Sequence, residues 1–143
     1  MKHSLLAAVL LAAAIASPAH AQSPSAANAC PMLQFTGLQT GPGRLMIAAY
    51  GSAETYLKVP VWVKSLPVDQ ETMKVAMCDV PSSEIAVIAF QDLNGNGKLD
   101  SNPMGIPSEP YGASGTPAMF GAPTWNDTKV SIVGSLSPII VKF

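Results

Sequence analysis

Histidine is scarce in this chain and arginine scarcer. There are two histidines, His3 and His20, and one arginine, Arg44. Both histidines fall in a segment that the sequence marks for removal. Met1-Lys2-His3 is short and basic, residues 5–16 form an unbroken run of apolar and small side chains, and Ser17-Pro18-Ala19-His20-Ala21 places small residues at A-x-A positions. This layout predicts a secretory signal peptide over residues 1–21, cleaved after Ala21. The apolar run is too short to span a bilayer, which takes about 20 such residues. No transmembrane segment is expected in the mature chain, whose predicted location is the periplasm or the cell exterior. Residues 22–143 contain no histidine, so Ser-His-Asp triads, histidine general bases and imidazole-ligated metal sites are excluded.

Charge is also in short supply, at 12% of residues. Without Lys2 the mature chain carries seven basic residues against nine acidic ones, −2 overall. Its lysines are scattered singly. A protein that neutralises phosphate backbones needs a basic patch, so nucleic acid is not expected as a partner. Low charge with 13 prolines and 11 glycines suits short strands joined by turns better than long solvent-facing helices.

Only two cysteines occur, Cys30 and Cys78. An even count in an exported chain predicts that they pair, and closing so long a loop contributes roughly 4 kcal/mol in the chain-entropy model. Their wide spacing lacks the close pair that tunes a redox-active thiolate.

Residues 22–31 are rich in serine, alanine and asparagine and read as a flexible N-terminal tail. From residue 32 the hydrophobic pattern has the period of strands. MLQFTGL (32–38) alternates, Gly41-Pro42-Gly43 turns the chain, and RLMIAAY (44–50) returns. Residues 54–58 suggest a short helical turn. In VPVWVKS (59–65), Pro60 argues for an edge strand. ETMKVAMCDV (71–80) alternates again, placing Met73, Val75 and Met77 in the core rather than in a methionine metal site. EIAVIAFQ (84–91) is nearly continuous and reads as a strand buried on both faces. KVSIV (129–133) and PIIVKF (138–143) complete the set. About seven strands without an amphipathic helix predict an all-β chain, an immunoglobulin-like or prealbumin-like antiparallel β-sandwich over residues 32–143 with one long Gly/Pro-rich loop at 92–127. Structureless loops of that length are uncommon and usually functional or disordered.

Chemistry concentrates in that loop. Asp92, Asn94, Asn96 and Asp100 occupy positions 1, 3, 5 and 9 of a calcium loop of the EF-hand type, with Gly97 at position 6 and the Lys98 carbonyl at position 7. A tight loop turns alternate oxygens inward, glycine permits the bend, and Leu99 is expected to point back to the core. Such oxygen donors suit Ca²⁺ over transition metals. Pro103 stands at position 12, where a bidentate glutamate is usual. Glu109 folding back, Asp127 or a loop carbonyl could replace it. The competing reading is a metal-free Asn-Gly turn capped by its own side chains. Tyr111, Phe120 and Trp125, each set among turn formers, are expected to tack the loop onto the sheet rather than to form a sugar-stacking platform.

LQFTGL (33–38), AFQDLNGNGKLD (89–100), GIPSEPYGAS (105–114) and FGAPTW (120–125) resemble an uncharacterised bacterial family, domain of unknown function 2141. Its members read F-x-D-x-N-G-N-G-K-L-D, G-I-P-x-E-x-Y-G-F-S and F-G-P-P-x-F. Ala113 replaces a phenylalanine and Ala122-Pro123 a Pro-Pro pair, which predicts a local change in loop packing. The cysteines are not part of the pattern. The resemblance implies an exported sandwich and no established activity. The resulting expectation is a non-enzymatic module that binds calcium in the 92–100 loop and presents a surface to a protein or a glycan at the cell envelope. The alternatives are a hydrolase using paired carboxylates such as Asp100 and Glu109, and a purely structural envelope protein with a metal-free turn.

Overall fold

Alternation along the strands decides which residues meet in the core. A computed structural model describes residues 30–118, 121–135 and 137–143; the predicted signal peptide and residues 22–29 of the predicted tail lie outside them. Eight strands form: β1 (Met32–Thr36), β2 (Arg44–Tyr50), β3 (Trp62–Pro67), β4 (Thr72–Ala76), β5 (Glu84–Asp92), β6 (Tyr111–Ala113), β7 (Lys129–Ser131) and β8 (Ile139–Lys142), with one helical turn, α1 (Trp125–Thr128), between β6 and β7. The three-stranded sheet runs β4-β1-β8. The five-stranded sheet runs β3-β2-β5-β6, with β7 also on β5. Leu33 and Phe35 of β1, Leu45, Ile47 and Ala49 of β2, and Ile85, Val87 and Ala89 of β5 are buried between the two sheets. Period-2 alternation sends these residues inward and their neighbours outward.

The all-β sandwich is as expected, with three differences in detail. The sheets are not purely antiparallel, because β1 and β8 pair in parallel through Leu33↔Ile139 to Thr36↔Lys142. The chain enters β8 from the other sheet rather than by a hairpin, which leaves its direction free. The 92–127 stretch is not structureless, since it contains β6, α1 and a bridge between Ser101 and Pro107. β5 spans nine residues, and β7 covers only Glu84–Ala86 of its second edge. β6 covers Ile88–Phe90 of the same edge, satisfying backbone groups that would otherwise lose their partners. Between the two strands, Ser114 bridges the gap: its N–H donates to the Val87 carbonyl at 2.9 Å, its hydroxyl accepts from Val87 N–H at 2.8 Å and donates to Thr128 O at 2.6 Å. Finally, β1 and β2, read as a hairpin, do not pair, because residues 37–43 carry the chain from the smaller sheet to the larger; residues 54–58 make the short turn expected, Lys58 and Val59 N–H donating to Thr55 O.

β3 is an edge strand that starts just after Pro60, as a residue without an N–H donor requires. On the opposite side β6 closes the sandwich against β8. Gly112 permits that approach, because a Cβ there would collide with the Lys142 carbonyl and the Val141 side chain. Cys30 and Cys78 are joined by a disulfide, Cα–Cα 4.6 Å. It lies just beyond the β1/β4 ladder, where Met77 N–H also donates to Pro31 O at 2.9 Å. Cys30 and Pro31, read as tail, are thus tied to the end of β4.

The outer side of the larger sheet is capped at one end by aromatic rings. Tyr50 meets Tyr56 edge-on at 5.5 Å, and Tyr56 meets Trp125 at 5.9 Å. Trp125 therefore tacks the long loop down as expected, whereas Tyr111 is 40% exposed; Phe120 lies outside the described residues. The Tyr56 hydroxyl donates to Pro123 O and accepts from Thr128 Oγ1. Burial raises the pKa of Tyr50 above 10.0, helped by the neighbouring Tyr56. Burial also raises that of Tyr56, against the Thr128 hydrogen bond and with a smaller contribution from Asp127. A phenol whose folded pKa is raised contributes stability that is fully present below the unfolded value and lost as pH climbs through the folded one. Thermal stability should therefore fall above about pH 10, and Tyr56→Phe should flatten that fall. Melting curves from pH 8 to 11.5 check this; equal alkaline slopes in the two proteins contradict it.

Candidate functional site

The loop from Asp92 to Asp100 begins where β5 runs out. Asp92, the last residue of β5, is 2% exposed, and a buried carboxylate requires hydrogen-bond donors. It finds them in the backbone ahead of it. Oδ1 accepts from Gly95 N–H at 2.7 Å and Asn96 N–H at 3.2 Å, and Oδ2 accepts from Gly97 N–H at 2.8 Å. Gly97 adopts φ 76°, a left-handed conformation in which any other residue is strained. Two Asx turns continue the bend, Asn94 Oδ1 accepting from Asn96 N–H at 3.0 Å and Asn96 Oδ1 from Lys98 N–H at 2.8 Å. The amide nitrogens of both asparagines converge on Asp100. Asn96 Nδ2 lies 3.0 Å from each Asp100 oxygen, and Asn94 Nδ2 lies 2.5 Å from Oδ2.

Glu109 folds back to this loop, but onto its backbone. Oε1 accepts from Leu93 N–H at 2.8 Å and Oε2 from Asp100 N–H at 3.1 Å, so one carboxylate clasps both ends of the turn. The intervening residues, 101–107, form a small hairpin of their own. Asn102 Oδ1 accepts from Met104 and Ile106 N–H, and Ser108 N–H donates to Asp100 O at 2.8 Å. Pro110 O then accepts from Gln91 N–H at 2.8 Å, which feeds the chain into β6. Gln91 is itself fully buried and bonded to the Gln39 backbone.

The structure thus brings Asp92, Asn94, Asn96 and Asp100 together around one loop, with Lys98 on its rim. Asp127 stays with α1, where its backbone N–H donates to Thr124 Oγ1 at 3.4 Å. Leu99 is half-buried and outside the core cluster, because the clasp holds that end of the loop at the surface. Among the described residues no group of three or more His, Cys, Asp or Glu side chains is placed to hold a metal ion, so any ion here depends on asparagine and backbone oxygens. Asp92, Asp100 and Glu109 have no cationic partner among the described residues; the ion pair found there is Lys129–Glu84, 3.8 Å apart on the surface. Sequence reasoning placed Glu109 near the loop but missed its backbone role, which depends on the path of the hairpin. No helix among the described residues is long and apolar enough to cross a membrane.

The family described as an uncharacterized protein conserved in bacteria, domain of unknown function 2141, matches residues 33–139. The chain belongs to that family. No curated protein and no solved structure matches it.

Removing the clasp should be costly. Glu109→Ala leaves the Leu93 and Asp100 N–H groups without an acceptor and should destabilise the fold by about 2–3 kcal/mol. Glu109→Gln keeps one acceptor but turns an NH₂ group toward an N–H donor, so it should recover less than half of that loss. Urea unfolding of the three proteins reads both numbers; a wild-type midpoint in Glu109→Ala would refute the clasp.

Proposed function

We propose that this member of a bacterial family without an assigned activity is an exported, non-enzymatic β-sandwich whose 92–100 loop binds calcium and, so ordered, presents a binding surface at the cell envelope. The observation that carries the reading is the loop's unbalanced charge. Two carboxylates, Asp92 and Asp100, are gathered with two asparagine amides around one turn, and the hydrogen bonds they accept come from neutral N–H groups. A divalent cation would compensate that charge at short range. Asp92, Asn94, Asn96 and Asp100 would hold it by side-chain oxygens and Lys98 by its carbonyl, as the motif spacing requires. The asparagine oxygens, which accept from Asn96 and Lys98 N–H, would swing toward the ion as their amide nitrogens leave Asp100. Glu109 keeps its backbone bonds and braces the loop. With no bidentate glutamate at position 12 the affinity belongs to the weaker, extracellular range, in keeping with a disulfide that implies an oxidising compartment.

The non-enzymatic half of the proposal rests on the same geometry. In the alternative hydrolase, Glu109 would have to exchange a proton with a substrate. Both its oxygens are occupied by backbone donors, and it is 7% exposed.

Calcium at a few millimolar should raise the melting temperature of chelator-treated protein and slow cleavage within residues 93–108. Asp100→Asn, a change at a half-exposed position, should abolish both effects while leaving the calcium-free melting temperature within a few degrees. Equal protease resistance with and without calcium would refute the proposal.

A further inference from the structure

The two faces of the larger sheet are both apolar, and only one of them is covered by the other sheet. On the outer face, Met46 pairs with Phe90 and Ala48 with Ile88 across β2 and β5, all four half-buried. The outer face of the smaller sheet is more polar, carrying Gln34, Thr36, Thr72 and Lys74 on β1 and β4 beside Met32 and Ile140. A solvent-facing sheet normally shows polar residues at such positions. The four apolar residues floor a trough of about 360 Å³, the size at which small-molecule sites begin. Tyr50 ends it on the side of the aromatic cap, Gly97 ends it on the side of the 92–100 loop, and Val63 of β3, 65% exposed, forms its side.

Two cations stand beside it, Lys64, which lines it from the β3 position opposite Ile47, and Arg44. Arg44 lies two residues before Met46 and so on the same face of β2. Its guanidinium is held over β3, Nε donating to Ser65 Oγ at 2.7 Å and Nη2 to Ser65 O at 3.2 Å, and Ser65 itself lines the trough. No carboxylate pairs with Arg44 among the described residues. The chain's single arginine is therefore fixed and exposed beside an apolar trough; Asp92, opposite it in the β2/β5 register, spends its carboxylate on its own loop's backbone.

We propose that this trough binds a medium-chain aliphatic carboxylate, with the tail on Met46, Ala48, Ile88 and Phe90 and the head group on Arg44. The pairing follows from charge complementarity: a guanidinium fork accepts a carboxylate in two parallel hydrogen bonds, and an apolar floor without buried polar groups imposes no other polar demand on the ligand. The site needs no ion in the neighbouring loop, so it stands or falls separately from the calcium reading.

The test is calorimetric titration of the purified protein with decanoate, octanoate, decanol and decyltrimethylammonium, each below its micellar concentration, in chelator and again in calcium. Decanoate should bind saturably in both buffers. It should bind better than octanoate, each methylene that leaves water being worth up to about fourfold. It should also exceed decanol by about tenfold, a preference that Arg44→Gln removes while decanol binding persists. Ala48→Phe fills the trough and should abolish binding. Val63→Glu, a surface change that leaves the core untouched, should do so for decanoate alone. Equal binding of decanoate and decanol, stronger binding of the cationic chain, or no saturable binding overturns the proposal. So does sedimentation showing that the wild type dimerises and that Val63→Glu makes it monomeric, which would give the trough to a second copy of this chain.

Discussion

The Glu109 carboxylate, shared between the N–H groups of Leu93 and Asp100, is the contact from which the order of this half of the molecule follows. It closes the turn that leaves β5 and, because Pro110 bonds to Gln91 one residue later, it sets the register in which β6 meets β5. Tyr111 then lies opposite Phe90, and Gly112 opposite Ala89. That register in turn brings the bare backbone of Gly112 against Val141 and Lys142 of the other sheet. Displacing Glu109 by one residue would reverse which side chains of β6 face inward and put a side chain where only hydrogen fits. A charge-assisted bond made to two backbone donors holds a position more firmly than either donor could hold alone.

Asp92 performs the complementary task from inside the loop, and the two carboxylates together fold a polar stretch through bonds to its backbone. This arrangement is stable as a turn, yet it leaves negative charge concentrated in one place. In the proposed calcium state it would serve as scaffold and as cation site at once, since Asp92 Oδ2 and Asp100 Oδ1 accept one bond each and retain a lone pair for a metal. Gly97 belongs both to this loop and to the boundary of the outer trough, so the polar and apolar features share an edge. The aromatic stack of Tyr50, Tyr56 and Trp125 limits the other end. Two segments that look unrelated in sequence, 51–58 and 92–100, thereby frame one face of the sheet.

Much of this was legible before any coordinates. Strand alternation located seven of the eight strands and the bounds of RLMIAAY to the residue, but not its partner, since the strand before it belongs to the other sheet; an oxidising destination implied the Cys30–Cys78 bridge. The spacing of Asp92, Asn94, Asn96 and Asp100 announced one convergent turn. Tyr111–Ala113 escaped because three residues are too few to display a period; it is a strand only because β5 offers it unpaired backbone. EIAVIAFQ misled in a different way. A continuous apolar run implies cover on both sides, but Ile88 and Phe90 are only half-buried, on the open face. A sequence records that a residue is apolar and not whether the molecule supplies its cover. Glu109 was readable as an acid near the loop, whereas its two backbone partners depend on a hairpin at 101–107 that leaves no periodic signature.

The claim on which the functional account turns is that the 92–100 loop is a cation site and not merely a self-capped turn. Calorimetric titration of calcium into chelator-treated protein, run beside Asp92→Ala and Asp100→Asn, tests it most directly. The account predicts one saturable site in the wild type with a dissociation constant of about 0.1–1 mM, lost in both variants. Absence of heat in the wild type, at protein concentrations sufficient to detect millimolar binding, would contradict it and leave the loop a structural turn.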